Sequence, residues 1–159
     1  MMGVKFNVSD IVEMGIQIEK NGKEYYAEVM GCAKSEKTKD IFRFLGNEEE
    51  KHINYFENLL ASLEKEELAE SYPGEYHEYI EHLSGLHIFT KKGAGKTTAC
   101  KMKSDKEALE TAAGLEKDTI LFYHEMKTFI SGKDKEVIEK IIQEEQKHLS
   151  KLLGFLKTI

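Results

Sequence analysis

The chain has 159 residues, of which 33 % are charged and 40 % hydrophobic, with one proline and no tryptophan. That length is enough for one domain with a buried core, and the balance suits a mainly helical protein. A net charge of −6 argues against nucleic acid or an anionic membrane as the main partner.

No apolar run approaches the roughly 18 residues of a spanning helix, and the start, MMGVKFNVSD, resembles no signal peptide. Cys32 and Cys100 form no CxxC pattern, so neither a disulfide scaffold nor a thiolate metal site is indicated. A cytoplasmic location is the default expectation.

Helical periodicity predicts four long segments in chain order. The first runs from Ser9, read as its N-cap, to about Ala33, with Val12, Ile16, Glu19, Tyr26 and Met30 on one face. The second spans about Lys37 to Ala69 and aligns Phe42, Leu45, Glu49, His52, Ile53, Phe56 and Leu60. Residues 70–103 then read as a long crossover: a turn at Pro73-Gly74, a short amphipathic helix, and a flexible basic loop over KKGAGKTT. That loop is no phosphate-binding motif, because Thr90 stands where the first glycine belongs and no strand precedes it. His77, His82 and His87 are five apart and share no helix face, so they are not expected to bind metal. A third helix opens on the capping box Ser104-Asp-Lys-Glu107 and ends near Gly132, with Leu109, Ala112, Ala113, Glu116, Ile120 and Tyr123 in its stripe. The fourth starts near Asp134 and carries Ile138, Ile141, Ile142, Glu145, His148, Leu149 and Leu152. Alternating strand patterns are absent.

Each apolar stripe is interrupted by one glutamate. A buried carboxylate is costly unless it is paired or bound to metal. The spacing also matches: 30 residues separate Glu19 from Glu49, and 29 separate Glu116 from Glu145. Hairpins turning near Ser35 and Gly132 would set each pair at similar heights, at 1.5 Å of rise per residue. Glu19-Lys20 with Tyr26 matches Glu116-Lys117 with Tyr123, and NEEEKHI (47–53) matches QEEQKHL (143–149). The chain is thus an internal duplication of a helix hairpin, offset by 96 to 97 residues.

Glu-x-x-His places a carboxylate and an imidazole on one helix face. Of the histidines, His52 and His148 alone have glutamate three residues before them, and they are counterparts in the two halves. Glu48, Glu50 and Glu144 fall outside that spacing and are expected to be solvated. Four carboxylates and two imidazoles from facing helices can hold two divalent metals, as in ferritin-like di-iron and di-manganese bundles. Mixed oxygen and nitrogen ligation favours iron or manganese over structural zinc.

IEKNGKEYYAE (18–28), NEEEKHI, LEKDTILFY (115–123) and QEEQKHL resemble the rubrerythrin-like members of the ferritin-like superfamily. The resemblance implies an all-α, ferritin-like four-helix bundle spanning 1–159, built of two hairpins joined by the crossover. It implies two iron ions held by Glu19, Glu49, His52, Glu116, Glu145 and His148, with Tyr26 and Tyr123 bonded behind them; manganese or a mixed pair suits the same ligands. The implied activity is a rubrerythrin-like peroxidase or oxidase, in defence against oxidative stress, that reduces hydrogen peroxide or dioxygen. Rubrerythrins usually continue into a rubredoxin domain with paired CxxC motifs, and none is present here. A separate, rubredoxin-like donor is therefore the expected source of electrons. A homodimer is admitted, while nucleic acid and membranes are not expected as partners. The family also carries a glutamate where this chain has Thr119, so the site is expected to be the more symmetric, with one histidine per metal. Two alternatives share the ligand set: ferroxidase-type iron sequestration, and a structural bundle stabilised by metal.

Overall fold

The structure, a computed structural model, describes residues 7–65 and 74–159. Helices α1 (Val8–Cys32) and α2 (Glu36–Lys65) form one hairpin, and α5 (Asp105–Phe129) and α6 (Gly132–Leu156) form the other. Between them lie α3 (Gly74–Leu86), a 3-10 turn (Ile88–Thr90) and α4 (Ala94–Ala99). The hairpins face each other through α1 against α5 and α2 against α6. The result is the expected all-helical bundle of two hairpins and a crossover, with no strand among the described residues. The end of the second predicted helix beyond Lys65, the turn residue Pro73 and the side chain of His77 lie outside the described residues.

Four predicted details differ. The first N-cap is Asn7 rather than Ser9: its side chain accepts from Asp10 N at 2.8 Å, and Asp10 accepts from Asn7 N at 2.8 Å. Asparagine is as good a cap as serine, and the reciprocal aspartate decides between them. At α5, Ser104 does cap Glu107 N, but the Glu107 carboxylate reaches back to Lys103 N rather than to the cap itself. The third helix closes at Phe129, because buried Ile130 turns extended (φ −108, ψ 145) to stay in the core. Gly132, expected to end that helix, instead opens α6 at a φ of 65.

The fourth difference is the crossover. KKGAGKTT is no loose basic loop, since Ala94–Ala99 is helical and packs on α1. Asn21, fully buried on α1, holds it there. Its amide donates to Phe89 O at 2.6 Å and Lys91 O at 2.7 Å, and its Oδ1 accepts from Gly95 N at 3.1 Å. Gly95 permits the approach, because a Cβ there would lie 2.1 Å from the carbonyl oxygen of Asn21. The carboxylate of Asp105, at the start of α5, accepts from the N–H groups of Lys34 and Ser35, which ties the first hairpin's turn to the second hairpin. Among the described residues, no helix is long and apolar enough to cross a membrane.

Candidate metal centre

The four stripes meet along the axis of the bundle. Apolar positions bury Val12, Leu45, Phe56, Leu109, Ile138, Ile142 and Leu152 almost completely. In the same rows lie Glu19, Glu49, His52, Glu116, Glu145 and His148, each no more than 4 % exposed. Helix α1 places Glu19, α2 places Glu49 and His52, α5 places Glu116, and α6 places Glu145 and His148. Gly22, one turn after Glu19, leaves the space that the Glu49 carboxylate fills, since a Cβ there would touch Glu49 Cδ at 3.4 Å.

These six form two overlapping groups. Glu19, Glu49, His52 and Glu145 each offer a ligand atom within 4.8 Å of one another, and so do Glu49, Glu116, Glu145 and His148. Glu49 and Glu145 belong to both groups. The rings of His52 and His148 lie nearly parallel, with centroids 6.1 Å apart. Such sharing is what a pair of cations requires, because two bridging carboxylates offset their mutual repulsion.

A direct test of fit comes from hydrogen bonding. Buried polar atoms are nearly always paired, yet Glu19 Oε2, His52 Nδ1 and Glu145 Oε1 have no hydrogen-bond partner. His52 Nδ1 stands 2.8 Å from Glu145 Oε1 and 3.5 Å from Glu19 Oε2, close enough for attraction but without hydrogen-bond alignment. Three orphaned donor atoms converging at one place fit a metal ion, and oxygen-rich ligation with two imidazoles fits iron or manganese.

Electrostatics carry the same message. Burial pushes Glu116 well above the usual carboxylate range, and neighbouring Glu145 pushes it further. Burial also raises Glu19, against the pull of His52. Burial opposes the charge of Glu145 too, but the hydrogen bond with His148 and the adjacent His52 ring outweigh it and hold this carboxyl below its ordinary value. Burial likewise works against a charged His52, yet Glu19 and Glu145 carry its pKa up to about 12. Protons therefore occupy the metal-free centre, and metal binding must displace them.

The tyrosines cross between halves. Tyr26 of the first hairpin donates to Glu116 of the second, and Tyr123 of the second donates to Glu19 of the first. Burial, then the adjacent carboxylate, raises both phenols well above their ordinary pKa, so they remain donors.

The halves are less symmetric than the sequence suggests. Glu144, expected to be solvated, is half-exposed but accepts from His52 Nε2 at 2.7 Å. Its counterpart Glu48 instead pairs with Lys51 at 2.5 Å, while Glu50 is exposed and pairs with Lys23. Glu144 was detectable in principle: it lies four residues before His148, on the flank of the stripe that faces α2. Thr119 is the counterpart of Gly22, and its hydroxyl meets His87 Nε2 at 2.9 Å. His87 Nδ1 accepts from Phe89 N at 3.2 Å, so Nε2 carries the proton that Thr119 accepts. His87 is 2 % exposed and lies in neither ligand group, while His82 is exposed.

Comparison with solved structures finds the same fold in the crystal structure of a candidate ferritin-like diiron-carboxylate protein from Thermotoga maritima. The TM-score is 0.67 at 24 % identity, over 96 % of each chain. No curated protein matches the sequence significantly. The model of the rubrerythrin family matches residues 10–156, which takes in both hairpins and every ligand candidate. The chain therefore belongs to the rubrerythrin family.

Proposed function

We propose that the bundle holds two iron ions and reduces hydrogen peroxide or dioxygen with electrons from a separate donor. Glu19 and His52 would hold one ion, Glu116 and His148 the other, and Glu49 and Glu145 would hold both. The observation that carries this reading is the overlap of the two ligand groups at Glu49 and Glu145, around three orphaned polar atoms. Two ions so held would supply two electrons at one place, the number that peroxide reduction takes.

The chain's own residues do the rest. Tyr26 and Tyr123 orient the terminal carboxylates across the hairpin interface, so that each hairpin positions a ligand of the other. Phe56 packs on Tyr123 at 5.2 Å between centroids, and Phe42 stacks on Tyr26 at 5.8 Å, which keeps water from that side. A second reading, ferroxidase-type iron handling, uses the same ligands. It is favoured by Thr119, whose bond to His87 fills the place where the family carries a further carboxylate.

The test is anaerobic loading with ferrous iron, followed by mixing with peroxide or with dioxygen in the presence of a reducing partner. Catalytic consumption of peroxide or dioxygen that tracks the iron content is expected. Stoichiometric oxidation that stops after one round and deposits ferric iron would support iron handling instead. Absence of any reaction with either oxidant would contradict both.

A further inference from the structure

Duplication should make the two metal positions equivalent, but the surroundings of the two histidines differ. The outer nitrogen of His52 is closed off: Glu144 Oε2 accepts from Nε2 at 2.7 Å, which fixes the ring with Nδ1 turned towards Glu19 and Glu145. His148 approaches Glu145 Oε2 through its own Nδ1 at 3.1 Å. Glu48, which by the internal repeat should close off its outer nitrogen, is drawn to Lys51 instead. That edge of His148 has no protein acceptor among the described residues. It lines a surface cleft of about 330 Å³ shared with Phe44, Glu48, Glu144, Lys147 and Lys151. Phe44 covers the His148 ring edge-on at 5.9 Å, is itself 40 % exposed, and is covered in turn by the Lys151 ammonium at 4.5 Å. Two side chains on the surface thus stand between solvent and this histidine.

Building on the two-metal reading, we propose that the positions are unequal. Glu144 is a positioning residue that makes the His52 position slow to exchange, and the His148 position loads and unloads through the Phe44–Lys151 cleft. The physical basis is the carboxylate–histidine pair. It holds the ring in one orientation and one tautomer and makes the ligating nitrogen a better donor, and losing such a partner typically weakens metal affinity about 10- to 100-fold. A histidine whose outer edge faces an opening has neither the restraint nor the shield. The ion beside it can therefore leave by a rotation of Phe44 that disturbs nothing in the core.

The experiment is cobalt(II) loading of the full chain under anaerobic conditions, followed by excess EDTA with release read from the cobalt absorption bands. Native protein is expected to release two ions in two phases at least about 10-fold apart, each phase one ion per chain. Glu144→Ala should accelerate the slow phase until it merges with the fast one, with helix content by circular dichroism unchanged because residue 144 is half-exposed. Glu144→Gln, whose amide oxygen still accepts from His52, should restore most of the separation, which a loss of packing alone would not do. Phe44→Ala should speed only the fast phase. Two ions leaving native protein in a single phase, or a slow phase untouched by Glu144→Ala, would overturn the inference while leaving the two-metal reading intact. Binding of fewer than two ions at saturation would overturn both.

Discussion

The two hairpins hold matching candidate ligands in different surroundings, and the crossover is one source of the difference. On the first hairpin it is clamped to α1 by Asn21 and Gly95, beside Gly22, the glycine that makes room for Glu49. On the second it delivers His87 to Thr119, which stands in the position equivalent to Gly22. One segment thus covers both halves but uses unlike residues on each. A repeated sequence fixes where the ligands fall along the helices, while the non-repeated segment and the surface pairs decide what lies behind them.

The largest effect should come from a residue that both halves share. Glu145→Ala is expected to remove both metal positions, whereas Glu19→Ala should remove one, as read by metal content after gel filtration. Without metal, losing Glu145 also leaves His52 short of its closest buried counter-charge, a loss of about 3–5 kcal/mol. Equal metal content in the two variants would show that Glu145 does not bridge.

The crossover's contact with the second hairpin can be read through pH. Burial depresses His87 to about 4, from an ordinary 6.5. The folded chain keeps this ring neutral while the unfolded chain takes up a proton below 6.5. Its contribution is therefore complete above pH 6.5, is lost as pH falls towards 4, and is on the order of 3 kcal/mol. Denaturant unfolding of the metal-free protein from pH 7 to 4 should show that loss as the difference between the native chain and His87→Gln, since the raised Glu19 and Glu116 titrate alike in both. An unchanged slope in the variant would mean that the ring is not buried neutral.

Its contact with the first hairpin is steric. In Gly95→Ala the added methyl would meet the Asn21 carbonyl at 2.1 Å, so α4 must shift off α1. An overpacking loss of about 1–3 kcal/mol is expected, which lowers the melting temperature by several degrees and leaves metal stoichiometry at the native value. A melting temperature equal to the native one would mean that α4 can detach freely.

The smallest effect should be at the surface of the first hairpin. Lys20 and Glu57 pair at 3.0 Å with both side chains about half exposed, so Lys20→Ala should change stability by less than about 1 kcal/mol. A larger loss would give surface pairing a part in holding the hairpin that the buried rows should play alone.

Much of the fold was legible because helix stripes are a local signal. Val12, Ile16, Leu45, Leu109 and Ile138 recur at helical spacing whatever surrounds them. The candidate ligands were legible for a related reason: each interrupts such a stripe with a charge, and two Glu-x-x-His pairs recur at the repeat offset. What escaped were contacts made only by tertiary pairing. Asn21 meets its partners 68 to 74 residues away, and His87 meets Thr119 at a separation of 32. Glu144 sits beside Glu145 in a run of charge and reads as solvent-facing until α2 brings His52 to it, 92 residues distant in sequence. The α4 helix was missed because its glycines signal a loop, although Gly95 is there for close packing.

On the proposed reading, six buried side chains make one centre for two ions, with Glu49 and Glu145 common to both. The decisive measurement is an anaerobic titration of the metal-free chain with ferrous iron, read as bound iron per chain at saturation. Two ions per chain are expected, together with release of protons from His52 and the raised carboxyls as they bind. A single ion at saturation, or two that bind without releasing protons, would contradict that reading.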